Sequence, residues 1–438
     1  MARSLLFLLF LTLFACNNLE DATIPERQTF IRFFGSARSY VSVAVEPDLD
    51  GGFIMVGNAA PLESDLATPD QQIPAIVIVK TDAQGTKLWE KIIPNANVHS
   101  IKPLADGYLL TGEGIELNPS SSESSEFVNT QFLLLKLSAT GEPQLSFSKD
   151  SSVTVTRGLD QVNLKVDFKA SASVVLPGGT EVATIGSYKV PGSQERTVTM
   201  GFSLSNFSQP LWRKNLDLFN FDYINPNFLG FKSGNLVWAS TATPQDINQS
   251  KYVSVIAVPP NYASPSNNSL FGKTDDTGGH DVKDIETSAT GFGIVGTYTS
   301  KAGNKNVFFV KVDPAGNVME STVKYFDGVD LAIEKTNSGN SQDEGTAITF
   351  TKDGGFVLAC AMGENPTTGH GGTDIVLIKI DAFGNFLWHK LMGGSGDEIA
   401  SSIRELSDGT LVIAGTSTIS NVSSMFIIRA DGSGNLKD

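Results

Sequence analysis

The chain repeats itself, and the period of that repeat constrains its fold more than any other feature. The clearest copy runs from Asp343 to Gly394, reading DEGTAITFTKDGGFVLACAMG and then GHGGTDIVLIKIDAFGNFLWHKLMGG. It holds four strand-length segments, Thr346–Thr351, Gly355–Ala361, Asp374–Ile380 and Phe386–Met392. Glycine-bearing turns join the first to the second (Asp353-Gly354-Gly355) and the third to the fourth (Ala382-Phe383-Gly384-Asn385). Residues that tolerate positive φ are what tight antiparallel hairpins require.

The same order recurs along the chain. DGGFIMVGN (Asp50–Asn58) precedes AIVIVKTDAQGTKLWEK (Ala75–Lys91), DGYLLTGEG (Asp106–Gly114) precedes FLLLKLSATGEP, and PGGTEVATIGS precedes the strand at Leu211-Trp212-Arg213-Lys214. GFGIVGTYTS precedes VFFVKVDPAGNVM, and a decayed copy, SGNLVWASTA with YVSVIAVPP, fills the gap between the Leu211–Lys214 strand and GFGIVGTYTS. Glycines 52, 107, 179, 234, 291, 355 and 409 mark seven units, spaced 55, 72, 55, 57, 64 and 54 residues apart. Seven units of four strands specify an all-β fold, a single seven-bladed β-propeller of four-stranded antiparallel blades. The last unit stops at DGSGNLKD without its fourth strand, and the N-terminal region supplies an orphan of that type, Thr29 to Ser36. Phe30 in it aligns with Trp388, so the ring is expected to be closed by the N-terminal strand, which removes the exposed sheet edges an open array would carry.

Composition narrows the function. The formal charge is −15, and about −16 once Arg3 is removed with a leader, which argues against nucleic acid and against a polybasic membrane contact. Cys16 and Cys360 are the two cysteines, so no intrachain disulfide survives if Cys16 is modified. Cys360 shares a strand face with Phe356 and Leu358 and reads as a buried thiol.

The leader follows from the first sixteen residues. One positive charge, the apolar run LLFLLFLTL and then Phe14-Ala15-Cys16 define a secretory signal. The run is shorter than the roughly 20 residues needed to span a bilayer. Leu13-Phe14-Ala15-Cys16 resembles the lipobox of bacterial lipoproteins, which implies lipidation (palmitate included) of Cys16 as the first mature residue. Residues 1–15 are then the signal peptide, 16–27 a flexible polar tether, and 28–438 the propeller. No aspartate follows Cys16, and Glu20-Asp21 is similar to the surface-export signals of Bacteroidetes lipoproteins. The expected location is the outer membrane, lipid-anchored, on the cell surface rather than the periplasmic face.

KTDAQGTKLWEK and KIDAFGNFLWHK resemble the tryptophan-docking repeats of PQQ-like propellers, a likeness that extends in blade design to WD40-like rings. It implies inter-blade packing for Trp89, Trp212 and Trp388, with Trp238 in the decayed copy. Redox members also carry adjacent cysteines, which this chain lacks. The turns are also similar to the Asp-box of sialidases, but the eight arginines left after the leader form no recognisable triad. His99, His280, His370 and His389 have no zinc-type spacing; His280 and His370 sit beside Gly-Gly pairs and read as solvated turns, and His389 as an exposed strand position. Asp48, Asp50, Asp275, Asp276, Asp343 and Glu344 are candidate calcium ligands in repeat turns, without a complete ligand set. No catalytic, cofactor or metal site is expected otherwise.

Irregular segments are where propellers carry specificity. NPSSSESSE (118–126) is a low-complexity insertion, Ser146–Ala170 adds a strand or a loop, and Phe219–Tyr223 with Asn261–Phe271 enrich aromatics and asparagine near the decayed unit. The leading functional expectation is a non-catalytic, membrane-anchored scaffold or interaction subunit of an outer-membrane protein complex, similar in design to the propeller subunit of the β-barrel assembly machinery, which usually has eight blades. The alternative is a surface glycan-binding protein or carbohydrate-active enzyme in nutrient capture.

Overall fold

The computed structural model describes residues 29–35, 38–60, 74–117, 127–149, 152–157, 160–165, 167–189, 195–216, 221–244, 250–259, 267–272, 278–328, 342–363 and 372–436. Cys16, the expected tether, the 118–126 insertion, His370 and Asp275-Asp276 lie outside them. Seven four-stranded antiparallel sheets form the blades of a propeller, and the described residues contain no helix.

Each blade is a meander whose first strand is innermost. Blade 1 runs Ser39–Pro47, Phe53–Ala60, Ala75–Thr81 and Lys87–Pro94; blade 2 Ala96–Leu104, Gly107–Leu117, Phe127–Ser138 and Pro143–Lys149. Blade 3 runs Asp167–Val175, Glu181–Lys189, Glu195–Ser203 and Trp212–Leu216; blade 4 Phe221–Lys232, Asn235–Pro244, Tyr252–Val258 and Asn267–Phe271. Blade 5 runs Gly279–Ser288, Gly291–Thr299, Lys305–Val312 and Val318–Phe326; blade 6 Glu344–Phe350, Phe356–Met362, Asp374–Ile380 and Phe386–Met392. Blade 7 takes Asp397–Glu405, Leu411–Ile419 and Val422–Ala430 from the C-terminus, and Phe30–Phe34 as its outermost strand. Phe30 stands opposite Arg429 as Trp388 stands opposite Lys379. The long stretch before blade 3 adds a separate hairpin, Ser152–Arg157 with Asp160–Lys165.

The middle strands are near-continuous apolar runs because both of their faces are covered. In blade 1, Phe53, Met55, Val77 and Val79 pack towards blade 7, while Ile54, Val56, Ile76 and Ile78 pack towards blade 2. The strand period of two thus feeds two cores at once. Seven such clusters occur among the described residues, one at each junction of successive blades, including the junction of blade 7 with blade 1. Cys360 is fully buried in the cluster between blades 5 and 6, and burial pushes its thiol well above the usual range.

The glycine markers have a steric cause. A Cβ on Gly52 would lie 2.1 Å from the carbonyl oxygen of Thr81, so the turn leaving the inner strand presses its backbone onto the end of the third strand. The outer turns have a second one. Gly85 has φ +75° and lies directly under the ring of Phe30 from blade 7.

Candidate functional site

The sequence motifs of each blade sort into two sites: an outer belt that locks neighbouring blades, and the axial cavity enclosed by the inner strands.

The belt explains the tryptophans. Trp89 of blade 1 lies over Gly141 in the outer turn of blade 2, and Trp388 of blade 6 over Gly434 in that of blade 7. Phe30 does the same over Gly85, so a phenylalanine replaces tryptophan at the closing blade. Trp212 packs against the cluster between blades 3 and 4, and Trp238 is fully buried in it. The turns themselves are built by aspartate: one carboxylate oxygen of Asp82, Asp313, Asp381 and Asp431 accepts backbone N–H groups two and four residues on, at 2.8–2.9 Å. Each of these aspartates is preceded two residues earlier by a base, namely Lys80, Lys311, Lys379 or Arg429. Lys80 donates to Asp48 and Asp50, both at 2.7 Å, Lys379 to Asp353 at 2.7 Å, and Arg429 to Asp408 at 2.6 Å. Burial acts to raise the carboxyl of Asp353, but Lys379 and Thr351 outweigh it and hold the group at about 2. The Lys-x-Asp-x-x-Gly pattern stood in the quoted repeats, but the role of its lysine becomes visible only when the acid of the first turn is brought beside it.

The described candidate calcium ligands have partners of their own. Asp48 and Asp50 both pair with the ammonium of Lys80. Asp343 is buried and accepts the N–H of Gly328 at 2.7 Å, and Glu344 pairs with Lys305 at 2.5 Å. No group of three potential metal ligands occurs among the described residues. His280 is a correction: it is a buried strand residue in an aromatic nest with Phe271, Tyr298 and Phe308, and its Nε2 shares a hydrogen bond of 3.0 Å with the hydroxyl of Tyr325. The adjoining Gly278-Gly279 pair reflects close packing, on Thr299 and Lys251, rather than a solvated turn. His389 is half-buried.

The axial cavity depends on a feature that the hydrophobic pattern does not announce. Every inner strand breaks register once against its neighbour, between Ser42/Ala44, Val98/Ser100, Ala170/Ala172, Ile224/Phe228, Val282/Asp284, Gly345/Ala347 and Ala400/Ser402. A bulge re-aims side chains, and Val43, His99, Lys283, Thr346 and Ser401, the skipped residues of five blades, all line the cavity. His99 is fixed by its Nδ1, 2.8 Å from the carbonyl oxygen of Ala170 in the next blade.

Three residues beyond the bulge the wall is charged. Arg404 of blade 7 grips Glu46 of blade 1 with two nitrogens, Nη2–Oε1 at 2.8 Å and Nε–Oε2 at 3.2 Å, and Lys102 of blade 2 adds a contact of 3.3 Å. Burial works to raise the Glu46 carboxyl, yet Arg404 and Lys102 outweigh it and hold the group at about 2. Burial likewise opposes the charge on Arg404, but Glu46, Glu286 and Asp284 keep it protonated. Asp284 accepts N–H groups from Ile285 at 2.8 Å and from Ile348 of blade 6 at 3.0 Å, and burial nevertheless raises it to about 6. Glu286 is raised by burial as well. The cavity encloses about 140 Å³, below the several hundred Å³ of ordinary small-molecule sites. Chemically it offers one ion-pair network spanning blades 7, 1 and 2, and one carboxylate that bridges blades 5 and 6.

No protein-family model matches the sequence, and neither does any curated protein. Solved structures align with most of the chain at low identity. A protein of unknown function from Dyadobacter fermentans is 10% identical, covering 92% of this chain and 98% of its own, with a TM-score of 0.46. The periplasmic gluconolactonase PpgL of Pseudomonas aeruginosa is 11% identical over 81% of this chain and 86% of its own, with a TM-score of 0.46. A subtype N10 neuraminidase-like protein of A/little yellow-shouldered bat/Guatemala/060/2010 is 8% identical over 92% of this chain and 99% of its own, with a TM-score of 0.41. At such identities and TM-scores these likenesses carry no argument about what this chain does.

Proposed function

We propose that this chain is a membrane-anchored, non-catalytic propeller lipoprotein that serves as an interaction subunit of an outer-membrane protein complex. The observation that carries this reading is the state of the axial cavity. Its volume is about 140 Å³, and Arg404, Glu46 and Lys102 are spent on one another across three blades. A propeller that turns over a small molecule needs unspent polar groups converging on a space large enough for it. Here Arg404, Glu46 and Lys102 tie blades 7, 1 and 2 together and Asp284 joins blade 5 to blade 6, which favours recognition by the outer surfaces and loops. Cys16 supplies the anchor in this reading, as the lipid-bearing first residue. Purification of the native full-length chain in mild detergent after cross-linking tests it. A defined set of co-purifying outer-membrane proteins is expected, and a strictly monomeric species without partners overturns the reading.

A further inference from the structure

We infer that Asp284 is a proton-operated latch between blades 5 and 6. It holds the two inner strands together when its carboxyl is protonated and releases them more readily when it is ionised. This goes beyond the interaction-subunit reading and does not rest on it.

Asp284 is the first residue paired after the bulge in the inner strand of blade 5. The residues at that point in the other blades are Ala44, Ser100, Ala172, Phe228, Ala347 and Ser402, none of which can ionise. Four other junctions are latched by neutral side chains. Thr416 accepts the N–H of Ser42 at 2.9 Å between blades 7 and 1, and Asn58 that of Val98 at 2.8 Å between blades 1 and 2. Thr241 accepts the N–H of Val282 at 3.1 Å between blades 4 and 5, and Thr349 that of Glu405 at 3.2 Å between blades 6 and 7. Between blades 5 and 6 the acceptor is a carboxylate. One oxygen of Asp284 takes the N–H of Ile348 at 3.0 Å, and the other that of Ile285 at 2.8 Å.

Among the described residues no base comes within ion-pair distance of this carboxylate; Arg404, the cation that acts on it, is held by Glu46 at 2.8 Å. On its own strand Glu286 adds a like charge, Lys283 stands exposed on the cavity, Asp281 pairs with Lys251, and His280 lies in the aromatic nest. The blade 6 strand against it, Glu344–Phe350, brings one acid, Glu344, which pairs with Lys305. The second strand of blade 5 brings Tyr298, and the blade 4 strands packed on this one bring Lys232, Tyr252 and, in sequence, Asp222 and Tyr223. Burial lifts the Asp284 carboxyl from 3.8 to about 6, against the pull of Arg404 and the N–H of Ile348. A carboxyl that binds its proton more tightly latched than released favours the latched state below about 4, and that advantage is lost as pH rises through about 6. The difference amounts to ~100-fold in the latch equilibrium.

Hydrogen exchange read by mass spectrometry on the full-length chain in detergent tests the latch. Exchange is followed from about pH 4.5 to about pH 7.5 in two peptides. One covers 344–350 and contains the N–H of Ile348; the other covers 39–47, whose neutral latch is Thr416 and whose Glu46 titrates at about 2, below this range. Each rate is divided by that of the same peptide in the unfolded chain at the same pH, which removes the chemical dependence of exchange on pH. Protection across 344–350 is expected to fall ~30-fold over this range, the part of the ~100-fold that lies within it, while 39–47 stays within ~3-fold. Asp284→Asn keeps an acceptor for Ile348 and cannot ionise, so 344–350 should hold its acid-state protection at every pH. Glu286→Gln should leave the slope in place. Parallel profiles for the two peptides in the wild-type chain overturn the proposal, and that comparison decides it even if Asp284→Asn does not fold. A slope that survives Asp284→Asn, or that disappears with Glu286→Gln, overturns it as well, because the proton then sits on another group.

Discussion

Replacing Arg404 by leucine removes the cation that neutralises a buried carboxylate. Glu46 is 8% exposed, and after the change Lys102, at 3.3 Å, is its one remaining basic partner. Breaking a buried pair from one side costs about 3–5 kcal/mol, because the partner is left as an uncompensated charge. The proton equilibrium gives the same scale. Glu46 is lowered from 4.5 to about 2, and at ~1.4 kcal/mol for each tenfold change this corresponds to about 3 kcal/mol. Arg404→Leu is therefore expected to lower the urea midpoint of the full-length chain in detergent at pH 7, with an unchanged slope, by about 3 kcal/mol. The double variant Glu46→Leu/Arg404→Leu should recover most of that loss, since a buried ion pair exchanged for apolar side chains is often neutral. The sign with pH follows from the depressed carboxyl. Its stabilisation is fully present above about 4.5 and is lost as pH falls towards about 2, so wild type and Arg404→Leu should converge in acid. Single-variant losses that add to within ~0.5 kcal/mol in the double variant, with no convergence in acid, would refute the assignment of this pair as the ring's clasp.

Asp284 gives the opposite slope: raised to about 6, it binds its proton more tightly folded than unfolded, so stability falls as pH rises from about 4 to 6. Asp284→Asn should flatten that segment of the stability–pH profile. Phe30→Ala, at the closing strand, is expected to cost about 3–5 kcal/mol in thermal or urea unfolding, as buried phenylalanines do, whereas Phe33→Ala, which is mostly exposed, should stay within ~0.5 kcal/mol. Gly434→Ala must tolerate φ +74° under Lys390 and Trp388, while Gly354→Ala meets the same φ range in open space. The first should destabilise by more than the ~1 kcal/mol conformational cost expected of the second. Cys360 should resist thiol reagents in the folded chain and react at the rate of global opening, since burial raises its thiol.

The belt was legible because its chemistry is local. A turn needs aspartate and glycine within five residues, so Asp381-Ala382-Phe383-Gly384-Asn385 shows itself in the string, and the alignment of Phe30 with Trp388 predicts the register in which Phe30 meets Arg429. Strand bounds in blade 6 were legible for a related reason: Asp374–Ile380 and Phe386–Met392 are apolar runs between turns. The histidines were not. His280 beside Gly278-Gly279 reads as a turn, and only packing shows that these glycines admit Thr299 and Lys251 while His280 enters an aromatic nest. The bulges were also hidden, because one skipped residue in a strand of nine leaves the composition of the strand unchanged.

By itself, then, the sequence determined the number of blades, the meander within each and the turns that close them, since all of these rest on contacts between neighbours in the chain. The tertiary structure alone decided the site. Glu46 and Arg404 lie 358 positions apart, and no local propensity links them. They meet because ring closure sets blade 7 against blade 1 and a bulge in each inner strand turns the third residue beyond it towards the axis. A charged pair formed by closure of a ring has no signature in a string; its energy exists only once the ends have met and water has been excluded.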